Sequence, residues 1–578
     1  MPDYGKPPPP ADTVTLGGGA WNGPDEPRRK RTWWYVGGGI VAALALVVGG
    51  TVYAASQVGD HRDPGPAAGL PSDTLAYAAV DLDPSAGQKI EAIKALRRFP
   101  AFTDGVKVDP TSDLRKLLIQ DELKTDGCHL DWDKDVAPWL GDDVGAAVVP
   151  TTGQGPQPVV ILAVTDEAAA TKDLPRFLTC LGVQQGLSVA DGWAVVAKDD
   201  ATAKNVAAAT RNGSLADDDD FRTWTERSGD AGVATFYASP DAGAAMATSL
   251  DDLAGRIDKS GVSSGHGSSG VTGEFAPAAY DTRALTADPS DPFGGLLGIC
   301  PGALGGGRGG SPLSGAQLQA EKQQLAKLQG GAATLRFSHS GFELETASSV
   351  AGAKQTSGSS GLTTLPADTA LAFGSAGAGD AIDRIADGFA QGFVAQCGGS
   401  PAKLWNALSS LTGLSMPTDL TTLFGGGVTF ALSGATDPDE VANGGPGSLP
   451  AGVLLKGDPD RIADVLAKIA LPGAQQLLAA SKGDGVVAVG PDADYRAQLL
   501  KKGSLGDTKE FTDVVPHADQ ASAAFYISFD NLKTIIDSDA GGYSAQERAN
   551  LAHLQALGSS SWVDDDGIGH GLLRLSTK

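Results

Sequence analysis

Leu70-Pro71-Ser72-Asp73-Thr74 opens one apolar run, and Leu365-Pro366-Ala367-Asp368-Thr369 opens another far downstream. The pair decides the fold because it is the first of an ordered series. Asp135-Val136 followed by Trp139-Leu140-Gly141 recurs, at the same spacing, as Asp419-Leu420 followed by Leu423-Phe424-Gly425. Each leads into a strand-like run, at residues 144–149 and 428–432. Residues 159–164 with Asp166 match residues 453–455 with Asp458. Asp191-Gly192 and Asp484-Gly485 each precede a short apolar strand and an Asp-started helix. Gly213-Ser214-Leu215 with Phe221 recurs as Gly503-Ser504-Leu505 with Phe511, and Ala234-Thr235-Phe236-Tyr237 as Ala523-Ala524-Phe525-Tyr526. Each half then closes on a hairpin, one turning at Ser338-His339-Ser340-Gly341 and the other at Asp564-Asp565-Asp566-Gly567. Seven matches in one order read as a unit present twice.

Repeat one spans about 70–350 and repeat two 363–578, joined by a Ser/Gly-rich linker at 351–362. Repeat one is longer through an insertion at about 258–315, whose low complexity predicts a loop. Residues 75–83 alternate as a strand, and Pro84 starts a predicted helix with Ile90, Ile93, Leu96 and Phe99 on one face. The order of strand, helices, two strands, helix, strand, helix, strand and hairpin predicts an α+β class. It is expected as two duplicated repeats with mixed or mostly antiparallel sheets. Strict βαβ alternation fails, which weighs against a Rossmann-type sheet.

Ahead of the repeats lies a different kind of sequence. Residues 1–32 include Pro7-Pro8-Pro9-Pro10 and Gly17-Gly18-Gly19 and predict a disordered cytoplasmic tail. Arg28, Arg29, Lys30 and Arg31 end it, followed by Trp33-Trp34-Tyr35 and an uncharged run over residues 36–55. Twenty helical residues span about 30 Å, the thickness of a bilayer core. A single transmembrane helix is therefore expected at 33–55, with a short linker at 56–69. The basic quartet sets the N-terminus inside and the body outside the cytoplasm. Val52-Tyr53-Ala54 leaves a cleaved signal peptide as the competing reading, but the run exceeds an ordinary signal core.

The 578-residue chain carries a net charge of −25. The first 32 residues are five basic against four acidic, and the rest 39 against 65. So acidic a body argues against nucleic acid as a partner.

In its basic anchor, Leu70-Pro71-Ser72-Asp73-Thr74-Leu75-Ala76-Tyr77, Asp83-Pro84-Ser85 and the stretch from Asp133-Lys134-Asp135 to Trp139-Leu140-Gly141, the chain resembles the actinobacterial family of domain of unknown function DUF3352. The likeness is expected over 70–578. It implies a membrane-tethered envelope protein and brings no catalytic residues.

Cys128, Cys180, Cys300 and Cys397 fall in the body, where oxidation is expected. Four cysteines allow three connectivities, and Cys128–Cys180 with Cys300–Cys397 is the favoured one. Asp131, Asp133, Asp135 and Asp142 imitate a calcium loop but lack its glycine and closing glutamate, so Asp135 and Asp419 are read as helix caps. Residues 217–220 read as a solvated acidic turn.

Gly261-Val262-Ser263-Ser264-Gly265 and Gly305, Gly307 and Gly310 match catalytic and dinucleotide patterns in form only, since both sit in low-complexity sequence. His339 and His570 lie near hairpin turns without a metal-binding spacing. Phe236-Tyr237 and Phe525-Tyr526 read as core aromatics, with a lipid or peptide cavity as the sharper alternative. No cofactor, metal or catalytic residue is implied. The expected function is a non-catalytic envelope binding or scaffolding module. A carrier or chaperone for an apolar ligand and a hydrolase with an unfamiliar site are the rivals.

Overall fold

The computed structural model describes residues 65–82, 115–116, 130–151, 153, 155–180, 185–248, 322, 325–338, 341–351, 358–377, 382, 386, 390, 400–469, 474–538 and 543–578. The two Leu-Pro stretches show why each half begins where it does. Thr74 Oγ1 donates to the Pro71 carbonyl at 2.6 Å, and Thr369 Oγ1 to that of Pro366 at 2.7 Å, closing the same turn. The Leu215 N–H donates to the Leu70 carbonyl at 2.8 Å, and the Leu505 N–H to that of Leu365 at 3.0 Å. All four leucines are fully buried. The Leu-Pro and Gly-Ser-Leu segments of each half thus dock on one another.

From these turns run β1 (Ala76–Asp81) and β9 (Thr369–Ala376). The first half continues with β2 (Leu140–Val149), β3 (Gln157–Val164), β4 (Gly186–Ala190), β5 (Trp193–Ala197), β6 (Ala234–Ala238), β7 (Leu328–Ser338) and β8 (Gly341–Val350). The second continues with β10 (Gly427–Ser433), β11 (Ala451–Lys456), β12 (Ala480–Lys482), β13 (Val486–Val489), β14 (Ala523–Ser528), β15 (Leu554–Val563) and β16 (Gly569–Thr577). The helices used below are α1 (Glu167–Cys180), α2 (Asp200–Thr210), α3 (Asp219–Arg227), α4 (Thr418–Phe424), α5 (Pro459–Ala467), α6 (Ala493–Leu499) and α7 (Lys509–Val514).

The expected α+β class with two separate, mixed or mostly antiparallel repeat sheets is corrected. One 16-stranded sheet runs through both halves, and all its pairings are antiparallel. The order is β4-β5-β3-β2-β1-β6-β7-β8 in the first half and β12-β13-β11-β10-β9-β14-β15-β16 in the second. β8 pairs with β16, so the last strand of each half closes the seam. Pattern reading missed this because each hairpin strand alternates as an edge strand would, and nothing local names its partner. No helix among the described residues is long and apolar enough to cross a membrane. The membrane helix expected at 33–55, the helix after Pro84 and the insertion at 258–315 lie outside the described residues.

Side chains alternate across the sheet, so each half builds a core on both faces. In the first half, Ile161 and Val195 pack with Val206 of α2 and Phe221 of α3, while Leu162, Ala194 and Val196 pack with Leu174 and Phe177 of α1. In the second, Leu454 and Ala488 join Tyr495 of α6 and Phe511 of α7, while Leu455 and Val487 join Ile462 of α5. Asp199, Asp218 and Asp492 cap α2, α3 and α6 through the N–H groups of Thr202, Phe221 and Tyr495.

Part of each expected linker is packed. Residues Gly65–Gly69 form a 3-10 turn with Pro66, Ala67 and Gly69 buried, and the Ser360 N–H donates to the Ala521 carbonyl at 2.9 Å. At the seam, Ile568 enters the first half's core, and Asp566 lies 3.9 Å from Arg227 of α3.

Candidate functional site

The strand ends beneath α3 and α7 carry matching polar clusters. β14 presents Tyr526 and Ser528, both buried, and Asp530 follows the strand. α7 lays Glu510 over them from its first turn, because Phe511 beside it is fully buried against Tyr526, ring centroids 5.2 Å apart. Burial pushes the Glu510 carboxyl above its ordinary value, against hydrogen bonds from Ser528 and Tyr526 that favour the charge. Its Oε1 is buried without a hydrogen-bond partner. Burial, aided by the Glu510 charge, also pushes the Tyr526 hydroxyl up.

Asp220, Tyr237, Ser239 and Asp241 hold the corresponding places in the first half. Phe221 packs edge-on to Tyr237 at 5.1 Å, and burial with the charges of Asp218, Asp220 and Asp241 pushes Tyr237 up. Raised tyrosines are proton-holding donors, poor as bases. Ser528 Oγ accepts from the Asn531 N–H at 3.1 Å. Tyr237, Tyr526 and Ser528 are buried, while Asp220, Asp241 and Asp530 are exposed, and Ser239 Oγ, like Glu510 Oε1, is buried without a hydrogen-bond partner.

A second charged constellation lies at the seam. Arg336 of β7, Glu343 of β8 and Arg574 of β16 stand opposite one another in one row. Arg336 also donates to Glu345 and, at 2.8 Å, to the Asp230 carbonyl. Arg574 reaches the Asp513 carbonyl at 3.3 Å.

Of the residues singled out by sequence, Asp135 is not itself the cap. Asp131 caps the turn Trp132–Val136 through the Lys134 N–H, and Asp135 accepts from the Asp131 N–H at 2.8 Å. Asp419 repeats this contact with the Ser415 N–H at 2.8 Å. Both carboxylates also bind a cation on the helical layer, Arg176 at 3.5 Å and Lys468 at 3.0 Å. Among the described residues no three His, Cys, Asp or Glu side chains converge on a metal position. In the acidic turn, Asp218 is a helix cap, and Asp217 takes the Ser214 hydroxyl at 2.6 Å. His570 contacts Asp564 at 3.2 Å and stacks on Trp562.

Phe236 and Phe525 are half-buried and Tyr237 and Tyr526 buried, on opposite faces of their strands. Cys180 ends α1 and is not a free thiol. Cys128, Cys300 and Cys397, the quartet Arg28, Arg29, Lys30 and Arg31, the serine pattern at 261–265, the glycines at 305–310 and His339 lie outside the described residues.

Sequence reading missed the acid before each equivalent phenylalanine, Asp220-Phe221 and Glu510-Phe511. It also missed the shared Tyr-x-Ser-x-Asp at 237–241 and 526–530. Both were there to be found. Arg336, a lone cation inside an apolar strand, was a further visible signal.

No curated protein and no solved structure matches the chain. The family likeness expected over 70–578 is found over 36–216, a region that takes in the apolar run and the strands through β5. Those residues match the family described as "Protein of unknown function (DUF3352)", a match that supports membership of that family for the part of the chain it spans.

Proposed function

We propose that this protein is a non-catalytic binding or scaffolding module, an internally duplicated acidic body displayed outside the cytoplasm from a membrane tether. The observation that carries the reading is the seam. Two halves of the same strand order are joined through β8 and β16 into one sheet, with a charged row across the join. Such a join suits rigid display better than the hinged cleft of an enzyme that closes on its substrate.

Orientation and tether rest on the sequence of residues 28–55, with the bilayer as one partner. An envelope protein is the other partner class. Oxidation of the cysteines fits that compartment, and Cys128–Cys180 is the pair we propose. Crosslinking of the full chain in cells, followed by identification of its neighbours, tests the reading. Reproducible envelope neighbours that vanish when the seam is disrupted are expected. Turnover of a substrate by the purified chain, abolished by Glu510→Gln with the fold intact, would overturn it.

One observation favours a second reading, carriage of an acyl chain. Phe430, Phe373 and Phe525 align across β10, β9 and β14, with Phe373 46% exposed. Leu432, Leu371 and Ile527 form the next row on that face. A fluorescent fatty acid that binds the full chain, and binds Phe373→Ser at least about tenfold more weakly, is the outcome this reading requires.

A further inference from the structure

Each half brings a closing hairpin to the seam, and the two hairpins differ in chemistry. Phe236 faces Ala333 and Phe525 faces Ser559, so three residues further along β7 and β15 Arg336 corresponds to Trp562. Their partners on the closing strands are Glu343 and His570. Ser228 meets Thr334, and Ser560 meets the Pro516 carbonyl, both at 2.7 Å, which makes Gly229 the counterpart of His517. Both take left-handed backbone, with φ of 89° and 59°. A Cβ on Gly229 would collide with Arg336 and Glu345. In the second half rings take the place of that ion pair. His517 lies on Trp562 with centroids 4.5 Å apart, and His570 stacks on it at 5.3 Å. Permanent charges in one hairpin thus correspond to imidazoles in the other.

His570 also touches the turn that ties the halves together. Its Nε2 lies 3.2 Å from Asp564 Oδ2, while Asp564 Oδ1 accepts from the Ile568 N–H at 2.8 Å. One carboxylate therefore links the imidazole to the turn at residues 564–568. From that turn Ile568 enters the first half's core, and Asp566 lies 3.9 Å from Arg227. Burial pulls the Asp564 carboxyl upward, but the Ile568 N–H and His570 outweigh it and hold it below the usual range. Asp564 is an anion across the range in which an imidazole titrates, around pH 6.5.

Among the described residues the other charged groups near His570 keep their charge in that range. Ala347 stands opposite it on β8, and Glu345, two residues along, is held by Arg336. Arg227 lies over the Trp224 ring and faces Asp566. His517 is exposed and comes from the segment leading into β14, on the other flank of β15 from His570.

We propose that the β15–β16 turn is a pH-responsive clasp between the halves, closed by the charged His570 imidazole through Asp564 and loosened when the imidazole is neutral. A charged ring gives Asp564 a charge-assisted bond and lays a cation on the Trp562 face, and both strengthen the turn that seats Ile568. The contribution is present below about pH 6 and lost as pH rises past about pH 7. The clasp depends on the joined sheet alone and holds whether or not the chain displays a partner.

The test is amide hydrogen exchange over residues 564–569 of the full chain in nonionic detergent, corrected for intrinsic rates, at about pH 5.5 and about pH 7.5. Protection about fivefold greater at the lower value is expected for the parent. His570→Gln should lose that step, and His570→Lys, charged throughout, should be protected at both values. Asp564→Asn keeps an acceptor for the Ile568 N–H, so it should also lose the step and carries the test should His570→Gln unfold. His517→Asn should keep the step, since His517 reaches Trp562 and not Asp564. A parent turn equally protected at both values, a step that persists without His570 or the Asp564 charge, or a step lost in His517→Asn overturns the proposal.

Discussion

Arg336 Nε donates to Glu343 Oε1 at 2.6 Å across the β7–β8 pair, and both side chains are almost fully buried. The other oxygen of Glu343 accepts from Arg574 on β16. One carboxylate therefore joins the two halves of the chain electrostatically. A buried charge is tolerated only when it is paired and its remaining donors are satisfied, and Arg336 meets that condition through Glu343, Glu345 and the Asp230 carbonyl. The row acts chiefly as a register lock. A one-residue slip of β16 would set Glu343 against Leu573 or Leu575 in place of Arg574.

Glu343→Ala strands Arg336 in the seam and is expected to cost about 3–5 kcal/mol, read from the denaturant midpoint of the full chain in detergent. Arg574→Ala should cost less, because Arg574 is 31% exposed and water replaces part of what it loses. The double variant Arg336→Met with Glu343→Leu should recover most of the loss, since an apolar pair of similar size leaves no orphaned charge. A Glu343→Ala chain as stable as the parent would show that the row contributes nothing to the join.

The two aromatic pairs make a matched experiment. Phe221 and Phe511 are both buried, each edge-on to the tyrosine of the neighbouring strand. Truncation to alanine should cost about 3–5 kcal/mol at either site, from lost transfer energy and the cavity left behind. Phe511 is fully buried and Phe221 is 8% exposed, so Phe511→Ala should be the worse of the two. The comparison is made by unfolding each variant in urea.

The Leu-Pro stretches and the recurring Phe221 and Phe511 were legible in the sequence, but the packing of each phenylalanine on Tyr237 or Tyr526 was not. A buried leucine, a Thr closing its own turn and an Asp before a helix each declare themselves within a few residues. The single sheet was not legible. β8 and β16 meet across more than two hundred positions of chain, and an alternating strand looks alike whether its neighbour is solvent or another strand.

The β4–β5 hairpin turns at Asp191 and Gly192 with φ of 56° and 81°, both in the left-handed region, and Gly485 repeats the glycine position with φ of 65°. Space is not the constraint, as a Cβ on either glycine would meet no atom within 4 Å. Only backbone conformation is tested. Gly192→Ala and Gly485→Ala should each cost about 1–2 kcal/mol, and Asn at the same positions distinctly less. The midpoint of thermal unfolding reads the difference, and equal values for Ala and Asn would contradict the conformational argument.

Glu510 and Asp419 should give stability opposite pH dependences. Burial holds the Glu510 carboxyl above its ordinary value, so its favourable contribution is complete below about pH 4 and fades as pH rises through the raised value. Glu510→Gln, neutral at every pH, should therefore be more stable than the parent at pH 7, with the gap closing near pH 4. For Asp419, burial pulls upward but is outweighed by the Ser415 N–H and Lys468, which hold the carboxyl below the usual range. Its contribution is present above about pH 4 and is lost as pH falls. Asp419→Asn should cost about 2 kcal/mol at pH 7, the size of a hydrogen-bonded charge pair, and progressively less on acidification. Urea unfolding of both variants and the parent across pH 3–7 (~pH 4 being the pivot) checks the two signs in one series. A Glu510→Gln curve that stays parallel to the parent would mean that the buried carboxyl is not under strain, and that the polar cluster beneath α7 holds its charge as comfortably as water does.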